Sequence, residues 1–327
     1  MADVAALTFL WWHLLWMRPS ACWGAVRDDL GKKVLKGVSR SFYITLRLLP
    51  LPMRGAASLG YLLARISDTM ADTVNTTVDA RWECLDQFEK AIAHAEQAPR
   101  WPLAILNALD DPKERHLLEC TSEILEWLRN IPVAEAVLVR EVLAIIVSGQ
   151  KLDLTRFAHA SPEQPITLAD DAALEDYTWR VAGCVGEFWT KLGALTLGEQ
   201  FSAVPQEDLL KLGRAYGQGL QMVNILRDLP ADLAAGRCYL PVTDPLDHVL
   251  LLECHQKWLI PSRKWIDQGR IYSTSLISRR LRAATVLPAL LAEKTLDRMK
   301  DASWEDLQAR LKIPRRETYQ SLVKAFF

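Results

Sequence analysis

Apolar residues along most of this chain recur at intervals of three and four positions, the spacing of one face of an α-helix. Examples are Leu59-Leu62-Leu63-Ile66, Leu117-Leu118-Ile124-Leu125-Leu128 and Val137-Leu138-Val142-Ile145-Ile146. The sequence has no Asn-Gly or Asp-Gly dipeptide and no long alternating run between turn residues, so strands are not predicted. Prolines are expected to mark the breaks between helices: Pro50-Pro52, Pro99-Pro102, Pro112, Pro132, Pro162-Pro165, Pro205, Pro241-Pro245, Pro261 and Pro314. The pattern predicts an all-α protein.

Composition narrows the class of protein further. Half of the 327 residues are apolar and 24% are charged, which is typical of a globular chain with a large core. Since no linker or repeat interrupts the pattern, residues 25–327 are predicted to form a single helical domain. A formal net charge of -1 gives no basic field, and we expect no nucleic-acid partner. Six scattered cysteines without a C-x-x-C pair indicate reduced thiols in a cytoplasmic protein.

Residues 1–24 form an apolar N-terminal extension. The stretch 4–17 is shorter than the roughly 20 residues that span a bilayer, and no basic region precedes it as in a signal peptide. It could pack on the domain as a helix. Alternatively, Trp11, Trp12 and Trp16 could anchor the protein peripherally on the inner face of the membrane. A wrongly chosen start codon is a third interpretation.

A first polar stripe interrupts an otherwise apolar helix. Asp68 and Asp72 are four residues apart, so both carboxylates leave the helix on one face, with Arg65 and Tyr61 on the turns before them. Two desolvated carboxylates repel each other and need a counter-charge, which Mg²⁺ bound together with phosphate oxygens would supply; Mn²⁺ is an alternative ion. The simpler interpretation is a solvated acidic face.

A second stripe repeats this arrangement further along the chain. Asn224, Asp228 and Asp232 recur at four-residue intervals, with Gln221 one turn earlier and Arg227 beside the first aspartate. The two stripes predict opposing walls of one metal–diphosphate site. Pro230 lacks an N–H group, so the helix is expected to kink or end there, which makes the direction of Asp232 less certain than that of Asp228.

At this point the chain resembles the squalene and phytoene synthases, over about residues 32 to 300. The shared motifs, in the same order, are Ser39-Arg40-Ser41-Phe42, Asp68-Thr-Met-Ala-Asp72, Tyr177-Thr-Trp-Arg-Val181-Ala-Gly183-Cys-Val-Gly186, Asn224-Ile-Leu-Arg227-Asp228 and Gly236-Arg237-Cys-Tyr239-Leu-Pro241. The resemblance implies the isoprenoid-synthase fold, a barrel of helices around a central apolar cavity. We also expect a monomer.

The resemblance also implies roles for individual residues. Mg²⁺ would be held by Asp68, Asp72, Asp228 and Asp232, with Asn224 beside the metal cluster. The diphosphates would be contacted by Arg40, Arg65 and Arg227, and the rest of the substrate site would include Ser39, Gln221 and Tyr239. Tyr177 would assist proton removal or steady a carbocation, and Tyr61 is a second catalytic candidate. Gly183 and Gly186 would serve close helix packing or leave room for the prenyl chain.

The D-T-x-x-D form of the first motif is more similar to squalene synthases than to phytoene synthases. The resemblance therefore implies condensation of two farnesyl diphosphates to presqualene diphosphate and, with NADPH, to squalene. Lys312 and Arg315 resemble a segment that contacts the NADPH phosphates, although a basic surface turn would give the same pattern. The alternatives are an enzyme that stops at presqualene diphosphate, a phytoene or dehydrosqualene synthase, and a catalytically dead assembly factor.

Overall fold

Helices dominate the architecture of the protein. A computed structural model describes residues 29–39, 42–73, 75–94 and 98–326. The α-helices are α1 (Leu35–Ser39), α2 (Phe42–Leu48), α3 (Leu51–Asp72), α4 (Val78–His94), α5 (Leu103–Asn107), α6 (Pro112–Glu119), α7 (Thr121–Asn130), α8 (Val133–Arg156), α9 (Asp171–Thr178), α10 (Cys184–Leu197), α11 (Gln206–Ala234), α12 (His248–Ser275), α13 (Arg279–Met299), α14 (Trp304–Gln308) and α15 (Arg315–Phe326). Two π-helical turns, Leu30–Val34 and Trp179–Gly183, and the 3₁₀ turn Gly198–Gln200 complete the helical elements. The prediction of an all-α protein is confirmed.

Helix starts follow local chemistry that the sequence contains. The residues that precede α3, α5 and α8 are Pro50, Pro102 and Pro132, each in an extended conformation with helix beginning at the next residue. Side chains cap other helices: Asp170 accepts a hydrogen bond from the Ala173 amide at the start of α9. These prolines mark helix boundaries, as expected from the sequence.

Three other prolines lie inside helices, and the expectation of a break between helices at Pro261 was wrong. Pro230, Pro261 and Pro288 lie within α11, α12 and α13, respectively. A proline in a helix interior removes one backbone hydrogen bond, but the apolar faces of these helices remain buried on both sides of it. Packing therefore carries α11 through Pro230 to Ala234, and α12 continues through Pro261 instead of breaking there.

The long helices pack side by side and bury two apolar clusters. The first cluster is built mainly from α3, α4, α7 and α8, and the second from α11, α12 and α13. α11 packs against both α10 and α12, while α3 packs against α8 and α10. The clefts between these helices create the site described below.

One short parallel strand pair crosses this helical arrangement. The strands β1 (Ile166–Thr167) and β2 (Arg237–Cys238) pair with Ile166 opposite Arg237.

Within the described part of the chain, no helix is long and apolar enough to cross a membrane. The extension 1–24 lies outside the described residues.

Candidate active site

The first aspartate pair lies on the C-terminal half of α3. Leu59, Leu62, Leu63 and Ile66 of this helix are fully buried. This anchors one side of the helix in the core and directs Asp68 and Asp72 to the other side, where both line an internal cavity. The spacing of four residues thus has the predicted result.

The second polar stripe, on α11, faces the same cavity. Asn224, Asp228 and Asp232 all line it, so the continuation of the helix through Pro230 keeps the two aspartates together. The cavity has a volume of about 540 Å³ and is called the polar cavity here. Its polar lining residues are Asp68, Asp72, Arg81, Gln150, Asp153, Tyr177, Gln221, Asn224, Asp228, Asp232, Arg237 and Tyr239. The two acidic stripes therefore line one cavity, and their binding of a metal and diphosphate stays a prediction.

Arg237 and Tyr239 reach the polar cavity through the strand pair. Gly236 follows α11 with a φ of +79°, and its amide donates to the carbonyl of Leu233. A Cβ at this position would come within 2.6 Å of the Ser161 backbone nitrogen, so only glycine fits the turn. The turn leads directly into β2, which holds Arg237 3.5 Å from the Asp232 carboxylate.

Two residues of α8 were missed from the sequence. The Gln150 amide donates a hydrogen bond of 2.6 Å to Asp68, and the Asp153 carboxylate accepts one of 2.8 Å from the Tyr239 hydroxyl. Arg81 of α4, which was also missed, contributes a further cation. Gln150 and Asp153 are three positions apart in a helix whose neighbouring residues are largely apolar. That interruption was the available signal, but no named motif contains it.

Burial and like charge perturb the acids of this cavity. Burial, followed by the charge of Asp72, raises the pKa of Asp68 to about 7, although Arg65 and Gln150 oppose the shift. Burial also raises the pKa of Asp232 to about 6, with Arg237 acting in the opposite direction. The cavity therefore concentrates negative charge that its own arginines do not fully balance.

The donor set fits a divalent cation that is shared with a ligand. Within the described ranges, no three histidine, cysteine or carboxylate side chains are close enough to hold an ion by themselves. Mg²⁺ commonly binds through one or two carboxylates and completes its shell with water and phosphate oxygens. Carboxylates on two facing helices, with charge left unbalanced between them, suit that mode of binding.

Tyr177 lies at the end of α9, where the helix passes into the π-helical turn Trp179–Gly183. Its ring stacks on that of Tyr239, with the centroids 4.7 Å apart and the planes at 21°. Burial raises the pKa of Tyr177 well above its ordinary value, and the charge of Asp153 adds to this effect. The phenol is therefore a neutral group on the cavity wall.

Several predicted residues lie outside the lining of the polar cavity. Ser39 is buried and bonded to the Leu35 carbonyl, and Tyr61 stacks on Phe42 and donates to the Val38 carbonyl. The two predicted phosphate-binding arginines of the described chain pair with protein carboxylates: Arg65 with Glu114, and Arg227 with Asp228. Lys312 is exposed. Arg40 and the side chain of Arg315 lie outside what the structure describes.

An apolar pocket of about 180 Å³ lies next to the polar cavity, and Val181 lines both. The apolar pocket is lined by Phe42, Thr45, Val181, Ala182, Val185, Gly186, Trp189, Gly213, Tyr216, Gly217, Leu220, Tyr272, Ala284, Thr285 and Pro288. Its tyrosine hydroxyls are satisfied within the protein, since Tyr216 donates to the Thr285 carbonyl and Tyr272 bonds to Thr190, both at 2.8 Å. The indole N–H of Trp189 is buried and has no hydrogen-bond partner among the described residues. The rest of the lining is largely apolar, which suits a hydrocarbon chain.

Glycines bring α10 and α11 together beside the apolar pocket. A Cβ on Gly186 would come within 1.8 Å of the Gly213 carbonyl oxygen, and one on Gly183 within 3.0 Å of the Gln218 side chain. Close helix packing is therefore supported for both glycines, and Gly186 also lines the apolar pocket.

Comparisons with known proteins agree with this architecture. A family model described as squalene/phytoene synthase matches residues 35–317. A bifunctional lycopene cyclase/phytoene synthase of Leptosphaeria maculans is 29% identical over 66% of this chain, which spans only 34% of that relative. A presqualene diphosphate synthase of Rhodopseudomonas palustris is 29% identical over 62% of this chain and 58% of its own length.

Two further similarities cover more of the chain. A presqualene diphosphate synthase of Zymomonas mobilis is 27% identical over 87% of this chain and 88% of its own length. Among solved structures, TcSQS in complex with the ligand BPH1237 superimposes with a TM-score of 0.76 at 22% identity, covering 91% of this chain and 86% of the other. That likeness establishes the isoprenoid-synthase helical fold.

Proposed function

Because the chain belongs to the squalene/phytoene synthase family, whose members are prenyltransferases, we propose that it condenses two farnesyl diphosphates head to head. The product of this step is presqualene diphosphate. The observation that carries the proposal is the polar cavity, in which aspartates of α3 and α11 face each other, with the apolar pocket next to it. The polar cavity suits diphosphates, and the apolar pocket suits prenyl chains.

Mg²⁺, with Mn²⁺ as a substitute, is the proposed metal, and Asp68, Asp72, Asp228 and Asp232 would hold it. When bound, the ion neutralises the charge of the departing diphosphate, which is the condition for ionising an allylic ester. Asn224 and Gln221 line the same wall and can donate hydrogen bonds to phosphate oxygens. Arg237, which the sequence-based assignment had not included, adds a guanidinium inside the cavity.

The residues of the apolar pocket would shield from water the allylic cation that ionisation produces. An allylic cation survives only if water is kept away, and the walls of this pocket are largely apolar, with the hydroxyls of Tyr216 and Tyr272 bonded inside the protein. The aromatic faces of Tyr177 and Tyr239 lie on the adjacent wall of the polar cavity, where they can stabilise positive charge. Arg65 and Arg227 can join in diphosphate binding by exchanging their carboxylate partners for phosphate oxygens.

The subsequent reduction to squalene with NADPH is the finer part of the proposal. The segment that precedes Lys312 supports it, because Leu307, Gln308 and Arg310 line a small cavity together with Arg227 and Asp228. The C-terminal region therefore approaches the acidic site. Replacement of Lys312 and Arg315 by alanine should leave farnesyl diphosphate consumption unchanged. The affinity for NADPH should weaken by about 100-fold, since charge-assisted bonds contribute roughly 1.5–3 kcal/mol each.

Product analysis tests the proposal and its alternatives. Purified protein is incubated with Mg²⁺ and either farnesyl or geranylgeranyl diphosphate, with and without NADPH, and the products are identified by mass spectrometry. Presqualene diphosphate from farnesyl diphosphate supports the condensation, and squalene that appears only with NADPH supports the reduction. Presqualene diphosphate alone under both conditions would limit the enzyme to the first step. Dehydrosqualene or phytoene would assign it to the other branch, and no consumption of either substrate would favour the assembly-factor alternative.

The remaining expectations concern the setting of the enzyme. A monomer in the cytoplasm, in peripheral contact with the membrane through residues 4–17, is compatible with a water-soluble substrate and a hydrocarbon product. Size-exclusion chromatography coupled to light scattering would test the monomer.

A further inference from the structure

One carboxylate of the polar cavity has no role in the scheme above. Asp153, on α8, accepts a 2.8 Å hydrogen bond from the Tyr239 hydroxyl through its Oδ2 atom. Its other oxygen, Oδ1, is buried and has no hydrogen-bond partner among the described residues. A half-satisfied buried carboxylate is costly to folding, so its presence calls for an explanation.

The partner of Asp153 is held firmly in place. The Tyr239 ring stacks on Tyr177 and meets Phe157 edge to face, with the centroids of the latter pair 5.3 Å apart at 70°. Phe157 directly follows α8, one turn after Asp153, so the same element fixes both the carboxylate and one side of the ring. Tyr239 itself lines the polar cavity. The hydroxyl is therefore held on the Asp153 carboxylate at the wall of the cavity that both residues line.

The proposed condensation must release one proton. C1 of the ionised farnesyl group forms a bond to C2 of the second substrate, which leaves a positive charge on C3 of that substrate. Closure of the cyclopropane ring between C1 and C3 then expels a proton from C1. A base in the cavity, either a group of the protein or the released diphosphate, has to receive this proton.

We propose that Tyr239 receives the proton and passes its own hydroxyl proton to Asp153. The inference rests on the proposed function. In this step the Tyr239 oxygen forms a bond to the proton from C1 while its original O–H bond breaks toward Oδ2 of Asp153. The positive charge of the substrate and the negative charge of the carboxylate disappear together, and no other reactant is needed. Tyr239 is the catalytic residue, and Asp153 is a positioning residue that acts through it.

The electrostatics of the pair favour this transfer. Burial raises the pKa of Tyr239 well above its ordinary value, so the phenol cannot lose its proton without a nearby acceptor. Burial raises the pKa of Asp153 to about 6, while Tyr239 and Arg237 act in the opposite direction and Asp72 and Asp232 add to the rise. A carboxylate whose pKa lies nearer to neutrality is a better match for accepting a proton.

Asp153→Asn is the decisive substitution. Asparagine keeps the size of the side chain and can still accept a hydrogen bond from Tyr239, but it cannot take up a proton. General-base catalysis contributes about 100-fold or more, so formation of presqualene diphosphate should slow by about that factor. The ratio of rates with unlabelled and C1-dideuterated farnesyl diphosphate should also rise above the wild-type ratio, because proton removal becomes the slow step. Tyr239→Phe should show the same increase.

The controls separate this role from structural and metal-binding roles. Glu187→Gln alters a half-buried carboxylate outside the polar cavity, which is bonded to Trp179 and Arg214, and should change neither rate nor isotope ratio. A slowed Asp153→Asn enzyme with the wild-type isotope ratio would overturn the proposal, as would a shift in the Mg²⁺ concentration needed for half-maximal rate without a change in that ratio. If Asp153→Asn does not fold, as judged by circular dichroism, Tyr239→Phe decides by the same ratio. A wild-type protein that consumes no farnesyl diphosphate would instead refute the proposed function itself.

Discussion

The polar cavity and the apolar pocket share Val181 but are built on opposite principles. In the polar cavity, carboxylates carry raised pKa values and lie among arginines, amides and phenols. In the apolar pocket, the tyrosine hydroxyls are bonded inside the protein, and glycines allow two helices to pack closely. In the proposed reaction, charge neutralisation and protection from water would therefore take place in two adjacent but separate volumes.

The largest effect is expected when the polar cavity loses charge. Asp68→Asn or Asp228→Asn removes a proposed oxygen ligand of the metal, and the rate of farnesyl diphosphate consumption should fall by about 100-fold or more at saturating Mg²⁺. Circular dichroism should show an intact fold. Asp86→Asn is the matched control, because Asp86 pairs with Lys151 and Lys90 outside the cavity lining. Retained turnover in the Asp68 and Asp228 variants would contradict the proposed metal ligands. An unfolded variant would show that the aspartate is needed for folding.

A glycine substitution beside the apolar pocket should act on stability. In Gly186→Ala the new methyl group would have to displace the Gly213 backbone, since it would lie 1.8 Å from the carbonyl oxygen. Overpacking costs about 1–3 kcal/mol, so the urea midpoint of unfolding should fall clearly. Gly55→Ala in α3 meets nothing within 4 Å and should be neutral or stabilising by about 0.5–1 kcal/mol. Equal midpoints for the two variants would contradict the account of close packing.

The free energy of unfolding should depend on pH through Asp68 of the polar cavity. The pKa of Asp68 is about 7 in the folded chain against an ordinary 3.8, so the folded state binds this proton more tightly than the unfolded state does. The contribution of Asp68 to metal-free stability is thus greatest below pH 4 and is lost as the pH rises to about 7, by up to roughly 1.4 kcal/mol per pH unit. Asp68→Asn should flatten that decline in urea titrations with chelator. An unchanged slope would show that Asp68 is not the group responsible.

The smallest effect is expected from the N-terminal extension. Deletion of residues 1–24 should leave the specific activity unchanged, because every motif shared with the family begins at Ser39 or later. If the extension is an interfacial anchor, the truncated protein should sediment less with anionic liposomes than the full chain, with neutral liposomes as the comparison. Equal sedimentation would leave the packed-helix and wrong-start interpretations.

The sequence predicted those parts of the site that depend on the helical spacing of residues. The four-residue spacing of Asp68–Asp72 and of Asn224–Asp228–Asp232 predicted one shared site, since a helix face is a local property. The helix does not end at Pro230, which was one of the two outcomes expected there, because tertiary packing outweighs one lost hydrogen bond. Arg65 pairs with Glu114, a contact between distant parts of the chain that no local pattern encodes, and its contact with phosphate stays a prediction. Asp153 was missed for the same reason, because its partner Tyr239 belongs to another element.

The stoichiometry of the reaction tests directly whether the enzyme condenses two farnesyl diphosphates or hydrolyses them. Purified protein is given farnesyl diphosphate and Mg²⁺ without NADPH, and inorganic diphosphate release is measured against farnesyl diphosphate consumption in the same sample. Head-to-head condensation that halts at presqualene diphosphate releases one diphosphate for every two farnesyl diphosphates consumed, and NADPH should then release the second one together with squalene. Release of one diphosphate for every farnesyl diphosphate, with farnesol as the product, would contradict the account, because it would mean hydrolysis instead of condensation.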